Sequence, residues 1–536
     1  MAPEETWDYL IVGAGSAGCV LANRLSASGR MRVLLLEAGP RDTNPWIHIP
    51  LGYGKLFTNP RYNWMFESEP EPELKNRRII QPRGKGLGGS SSINGLVHVR
   101  GQRQDFDHWA SLGNRGWSYA DVLPYFRKSE DFQHGAGPFH GIGGPLSVSS
   151  LPEAHELCDA FIQAAEQAGH PRNDDFNGER QEGAGYFHVT AKNSRRCSTA
   201  VGYLRPAQRR ANLRVITEAR ATRVLFEGKR ATGVEFVAGG RRQQALAARE
   251  VILCAGAIQS PQLLQLSGVG PAELLAQHQI ALVHASPGVG AHLQDHLQAR
   301  LVFRCTRPIT INDDLMSWWR QLKVGMRYLL FRKGPLTVSA GYAGGFFRTR
   351  AELESPDVES HFLTFSTGKM GEGLHRFSGF TASICQLRPQ SRGCVSIKSA
   401  DPMEAPAIRP NYLATEGDRT TMVEGVKLLR RIMAQSAITP YVAAEYEPGA
   451  QVASDAALLE YIRDKGFTIY HPSCSCKMGC DSGAVVDERL RVRGLASLRV
   501  IDASVMPAVV SGNTNAAVIM IAEKGADMLI EDARQS

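Results

Sequence analysis

The chain has 536 residues, 43% hydrophobic and 21% charged, which suits a globular protein too long for a single core. Its net charge of +8 comes from scattered pairs such as Arg195-Arg196, Arg209-Arg210, Arg241-Arg242 and Arg430-Arg431 rather than a basic run, which excludes nucleic-acid binding. No run of 18 apolar residues is present to span a membrane.

The chain is organised around Asp8 to Gly39. A short apolar run, Tyr9 to Val12, predicts a strand that feeds into Gly13-Ala14-Gly15-Ser16-Ala17-Gly18. A helical pattern follows, and a second strand, Val33 to Leu36, ends in Glu37-Ala38. Gly13 permits the tight turn, Gly15 leaves room for a pyrophosphate, and Gly18 lets the helix pack on the strand. The helix N-terminus offers unpaired N–H groups to phosphates. Glu37 lies 24 residues after Gly13, where an acid accepts from ribose hydroxyls and repels a 2′-phosphate. The motif alone leaves FAD and NAD both open. A strand starting at about residue 8 leaves no room for a signal peptide, and with ten cysteines the expected setting is a reducing cytoplasm. Peripheral membrane association stays open.

Residues 40–72 are broken by six prolines and carry Trp46, Tyr53, Phe57, Tyr62, Trp64 and Phe66, a pinned loop or a lid. Between Arg83 and Gly95 stand five glycines and three serines, Ser90 to Ser92. Such a segment lets backbone lie against a flat or phosphorylated ligand. Short helices are expected around Trp109 to Phe126 and a longer one in 150–169. Strands are expected at Leu213–Ile216, Ala221–Phe226, Thr232–Phe236 and Glu250–Cys254. The last runs into Ala255-Gly256 and a proline-led helix, again as in a nucleotide fold. Residues 300–440 read as an antiparallel sheet covered by helices. The end returns to a buried strand, Leu498 to Asp502, and a helix from about Asn515.

Two segments could carry chemistry. In Tyr470-His471-Pro472, the proline keeps the histidine out of a helix, so it points from a loop, and imidazole titrates near neutral pH. Cys474, Cys476 and Cys480 lie nearby in a C-x-C-x3-C spacing that is not that of a metal knuckle, so no metal is expected. Ser511-Gly512-Asn513-Thr514-Asn515 opens the last helix, where an asparagine can cap and the dipole can stabilise a negative charge.

With these motifs in order, the chain resembles the glucose–methanol–choline oxidoreductases, FAD-dependent alcohol dehydrogenases and oxidases. The resemblance spans essentially the whole length, through Gly13–Gly18, Gly84–Asn94, Gly256–Gly270, His471-Pro472 and Asp502–Asn515. It implies an α/β protein, a Rossmann-like FAD domain interleaved with a substrate domain of antiparallel sheet. The expected division is 1–150, 206–300 and 481–536 for FAD, with 151–205 and 301–480 for substrate. FAD would contact Gly13, Gly15, Ser16, Ala17, Gly18, Glu37, Ala38, Trp64, Arg83, Gly88, Gly89, Ser90, Asn94, Gly95, Leu96 and Val97. Val224 would touch the adenine side. Ala255, Gly256, Asp502, Ala503, Asn515 and Ala516 would complete the cofactor site. His471 matches the family's catalytic histidine and Asn515 its second position. Tyr342 and Phe365 are expected at the substrate.

Ile93 stands where members with covalent flavin carry histidine, so the resemblance implies non-covalent FAD. Arg195 to Ala207 and Asp175 to Gly185 most resemble bacterial L-sorbose dehydrogenases. Tyr342 stands by a position where choline-type members carry glutamate, which argues against a quaternary ammonium. The expected reaction is oxidation of a primary alcohol, a sugar or polyol, with electrons passed to a quinone or other acceptor. An oxidase using oxygen, a choline dehydrogenase and, remotely, cyanohydrin cleavage are the alternatives.

Overall fold

The computed structural model describes residues 6–368 and 373–535. Two seven-stranded sheets carry the architecture. In the first, the strands Thr6–Val12, Val33–Leu36, Leu213–Ile216 and Leu498–Val500 run parallel around the end of Arg241–Leu253. The long strand Arg241–Leu253 then pairs antiparallel with Arg230–Ala238, which pairs with Ala219–Glu227. Tyr9 to Val12 are buried throughout, as central parallel strands must be. The helices Ser16–Leu25 and Thr514–Gln535 pack on one another over this sheet.

The turn between the first strand and first helix needs glycine for two different reasons. Gly13 has φ +100, and a Cβ there would stand 2.6 Å from Cys254 O. A Cβ on Gly18 would stand 1.9 Å from Gly13 O. The helix therefore lies on the backbone of the turn it leaves.

The second sheet is antiparallel. Its order is Val442–Glu447, Leu297–Cys305, Gly379–Gln386, Val358–Leu363, Ala343–Phe347 and Gly183–Tyr186, with Phe467–Thr468 also on Leu297–Cys305. Helices Glu156–Gln167 and Glu416–Met433 cover it, giving the second core. The α/β class and the antiparallel second layer agree with the sequence. The strand Leu297–Cys305 starts ahead of the expected position, because the segment after Asp295 alternates Leu297, Ala299 and Leu301 with polar neighbours.

The helix expected to be led by Pro261 begins at Gly256 instead and carries the proline inside. Proline leaves the Ala257 carbonyl without its helical donor, and Ser475 Oγ fills that place at 2.5 Å.

Candidate active site

A cavity of about 1590 Å³ runs from the glycine turn to the face of the second sheet. Its nucleotide end is built from backbone. Gly15 is the N-cap of helix Ser16–Leu25, with no side chain capping it and no acid in the first turn. Gly13, Gly15, Ser16 and Ala17 line the wall, and a Cβ on Gly15 would meet nothing closer than 3.9 Å. Ala255 and Gly256 line the opposite side, with open space at Gly256. Uncapped N–H groups beside such a cradle are what a pyrophosphate requires.

Glu37 and Ala38 border the same end. The acid has a task that its spacing did not reveal. Glu37 Oε2 accepts from Ala14 N at 2.8 Å, and Oε1 from Gly39 N at 2.8 Å and Gly86 N at 2.9 Å. It thus ties the glycine turn to the 83–95 loop. Burial pushes its carboxyl up, and the three amides oppose that. Asp502 does the same on the far side, accepting from Gly256 N at 2.8 Å and Ser260 Oγ at 2.5 Å.

Trp64, Arg83, Gly89, Ser90, Ile93, Asn94, Gly95, Leu96, Val97, Ala503 and Asn515 also line the cavity. Five expected residues do not. Gly18 packs against the backbone of the turn, where a Cβ would stand 1.9 Å from Gly13 O. Gly88 ties its loop to the turn through Ala14 O at 2.8 Å. Val224 is buried with its N–H on Ser267 Oγ, while Ala219, Arg220 and Ala221 of the same strand reach the cavity. Ala516 packs in the first core. Tyr342 is buried in the second core, donating to Glu153 O at 2.5 Å, whereas Phe365 does line the cavity.

His471 stands at the junction of the two ends. Its own N–H donates to Asp295 Oδ1 at 2.8 Å, and Tyr470 before it is held at φ +74. Such a backbone persists only where its surroundings fix it. Asp295 also accepts from Tyr412 Oη and Thr468 Oγ1, both at 2.5 Å, so the loop is anchored to the second sheet. The imidazole Nδ1 lies 3.0 Å from His296 Nδ1, and His296 Nε2 lies 3.0 Å from Leu387 O.

That chain assigns the tautomers. A carbonyl only accepts, so His296 carries its proton on Nε2 and its Nδ1 is a lone pair. His471 must then donate from Nδ1, which leaves Nε2 unprotonated on the cavity side. Burial, His296, His361 and Arg83 together hold the His471 imidazole well below 6.5. It is a neutral base with a fixed lone pair.

The residue facing that lone pair is Asn513. Its Nδ2 lies 3.2 Å from His471 Nε2. Asn515, expected there, instead accepts from Ser16 Oγ at 2.7 Å, beside the nucleotide end. The helix begins at Thr514, so Asn513 precedes its first turn, Asn515 lies within it, and the two side chains meet different partners. Asn513 and His296 are the functional residues that sequence reasoning missed. Asn513 stood within the marked segment, and the alternation His296, Gln298, Arg300 was a legible signal of a polar strand face.

A nucleotide cradle facing a fixed imidazole lone pair across one cavity defines a dinucleotide-dependent oxidoreductase. Residues 7–298 and 389–522 match the two parts of the GMC oxidoreductase family, and the chain belongs to it. FAD is therefore the group that this cradle fits. The chain is 48% identical over 531 residues to an oxygen-dependent choline dehydrogenase of Yersinia pseudotuberculosis, covering 98% of this chain and 93% of that one. It is 47% identical to the enzyme so named from Pseudomonas syringae, covering 99% and 94%. These relatives are choline dehydrogenases rather than the sorbose dehydrogenases expected from 195–207. Among solved structures, pyridoxine 4-oxidase from Mesorbium loti superposes with a TM-score of 0.90 at 30% identity, covering 98% and 99% of the two chains. Formate oxidase superposes at 0.92 and 26% identity, with both chains fully covered.

Proposed function

We propose that the protein oxidises a primary alcohol to the aldehyde with FAD as the immediate oxidant. The observation that carries this is the His471 lone pair, fixed on the cavity side by His296 and faced by Asn513. The substrate hydroxyl would donate to His471 Nε2, and the Asn513 amide would donate to the carbinol oxygen. His471 takes the hydroxyl proton, which builds charge on that oxygen as the C–H bond weakens. FAD, when bound, supplies the hydride acceptor. Gly15, Ser16, Ala17 and Gly256 would hold its pyrophosphate, and Glu37 its ribose. Ile93 on the wall cannot form a covalent link, so we take the flavin to be non-covalent.

His471→Ala is expected to keep the yellow flavin and lose roughly 10²- to 10⁴-fold in anaerobic flavin reduction. Near-normal reduction would remove His471 from the mechanism. Acid precipitation should release all flavin to the supernatant.

Choline oxidation with oxygen is the second reading, favoured by the relatives' names. The cavity offers a quaternary ammonium no free carboxylate. Glu37 and Asp502 are the only carboxylates lining it among the described residues, and both are tied to backbone at the nucleotide end.

We take the acceptor to be a quinone met at a membrane surface. What supports this is the helix Trp318–Phe331, whose outer face exposes Trp318, Trp319, Leu322, Met326, Leu329 and Leu330 while Gln321 and Val324 line the cavity. Residues 318–333 carry five cations and no acid, which suits an anionic bilayer. No helix of the described residues is long and apolar enough to cross a membrane. The protein is expected to float with vesicles containing phosphatidylglycerol. Failure to float, together with fast peroxide-forming reoxidation in air, would favour oxygen.

A further inference from the structure

The strand Leu297–Cys305 carries a cation into the substrate end of the cavity. With a period of two, His296, Gln298 and Arg300 share one face. His296 meets His471, and Gln298 and Arg300 line the wall, with Arg300 paired across the sheet to Ser383, also on the wall. Among the described residues the Arg300 guanidinium has no carboxylate within ion-pair distance and no hydrogen-bond acceptor. Its Nε is buried without a partner, and the group lies 4.3 Å above the Phe467 ring.

The one carboxylate whose charge reaches Arg300 is Glu447, and it pairs with Lys465 at 3.4 Å rather than with the guanidinium. Around Arg300 stand Tyr53, Tyr470 and Tyr461, whose hydroxyls stay neutral because burial raises them. His361, also on the wall, is held down to about 4 and is neutral. Behind it Glu359 Oε1 lies 3.3 Å from His361 Nε2, and burial pushes that carboxyl up to about 8. A cation withdrawn from water with no anion beside it is costly, and a planar guanidinium is shaped for a carboxylate.

We propose that Arg300 is the substrate anchor, and that the alcohol carries a carboxylate at the end remote from its hydroxyl. This rests on the alcohol oxidation proposed above and names its substrate class. Four residues of strand separate His296 from Arg300, about 13 Å at the usual rise. The hydroxyl and the anion are therefore several carbons apart. Ile311, Leu315, Leu336, Leu363 and Phe365 supply an apolar wall for the methylenes between. The substrate is an ω-hydroxy acid, and its product the aldehyde acid.

The test compares 1-hexanol, 6-hydroxyhexanoate and choline as anaerobic reductants of the yellow holoenzyme. A second measurement is calorimetric binding of hexanoate, which has no hydroxyl to oxidise. Wild type should show a reduction efficiency at least tenfold higher with 6-hydroxyhexanoate than with 1-hexanol, and choline should be poorest. In Arg300→Gln, the ratio of hydroxy acid to hexanol should fall by about 10- to 100-fold, each tenfold being about 1.4 kcal/mol. Hexanoate binding should be lost with it, and Arg300→Lys should restore part of both. No preference in wild type, or a preference untouched in Arg300→Gln, would overturn the proposal. If no alcohol bleaches the flavin, the oxidation reading fails instead. Hexanoate binding that depends on Arg300 would still support the anion site, and its absence would sink that too.

Discussion

At the residue scale, chemistry is set by who accepts and who donates. Leu387 O fixes His296, and His296 fixes His471, through two contacts of 3.0 Å. Removing the middle of that chain frees the imidazole to place its proton on Nε2, where it cannot act as base. His296→Leu should therefore keep flavin yet slow reduction by about 10- to 100-fold, within the worth of one general base. The acid limb of the pH profile should rise in the same variant, because His296 is one cause of the low His471 value. An unchanged limb would make His296 merely structural. The pair Asn513 and Asn515 separates by the same logic. Asn513→Ala should slow reduction with flavin retained, and Asn515→Ala should weaken flavin retention through lost contact with Ser16. A slow step in Asn515→Ala alone, read by stopped flow, would return that role to Asn515.

At the element scale, the glycine turn has no slack. Gly18→Ala places a methyl 1.9 Å from Gly13 O, so the first helix must leave its strand. Gly29→Ala is the matched control, since Gly29 has φ +74 but nothing within 4 Å. The ratio of flavin to protein absorbance should collapse in Gly18→Ala and stay near wild type in Gly29→Ala. Equal ratios in both would show that the close packing of helix on turn is dispensable. The turn itself was plain in the sequence, since Gly13, Gly15 and Gly18 each answer a local steric demand. The inner proline of Gly256–Leu266 was not legible. Its acceptance depends on Ser475, more than 200 residues away, donating to Ala257 O.

At the scale of the whole molecule, two cores meet at a cavity whose far wall is antiparallel sheet, and buried titratable groups sit in that wall. Glu359 is the clearest for stability. Its folded value of about 8 lies above its ordinary 4.5. A raised acid contributes stability that is present below 4.5 and lost as pH rises through about 8. Glu359→Gln keeps the shape and removes the titration. Its melting temperature should match wild type near pH 4.5 and exceed it increasingly toward pH 8, by scanning calorimetry. A constant difference across that range would mean that the carboxyl is not held neutral.

The sequence by itself determined what depends on neighbours within about 40 residues. Strand, turn, helix and acid at Asp8 to Gly39 follow from periodicity and glycine sterics, and His471 follows from the proline beside it. Only tertiary structure decided what those residues face. Glu37 gains the Gly86 amide, beside those of Ala14 and Gly39, because the 83–95 loop folds back onto it. Asn513 rather than Asn515 meets His471 because the helix starts between them. The alternation marks a polar face on the Arg300 strand, but that this face meets the cavity is decided only when the second core takes Leu297, Ala299 and Leu301. Hydrogen-bond partners and the charge of a cavity are sums over distant segments, so no local window contains them.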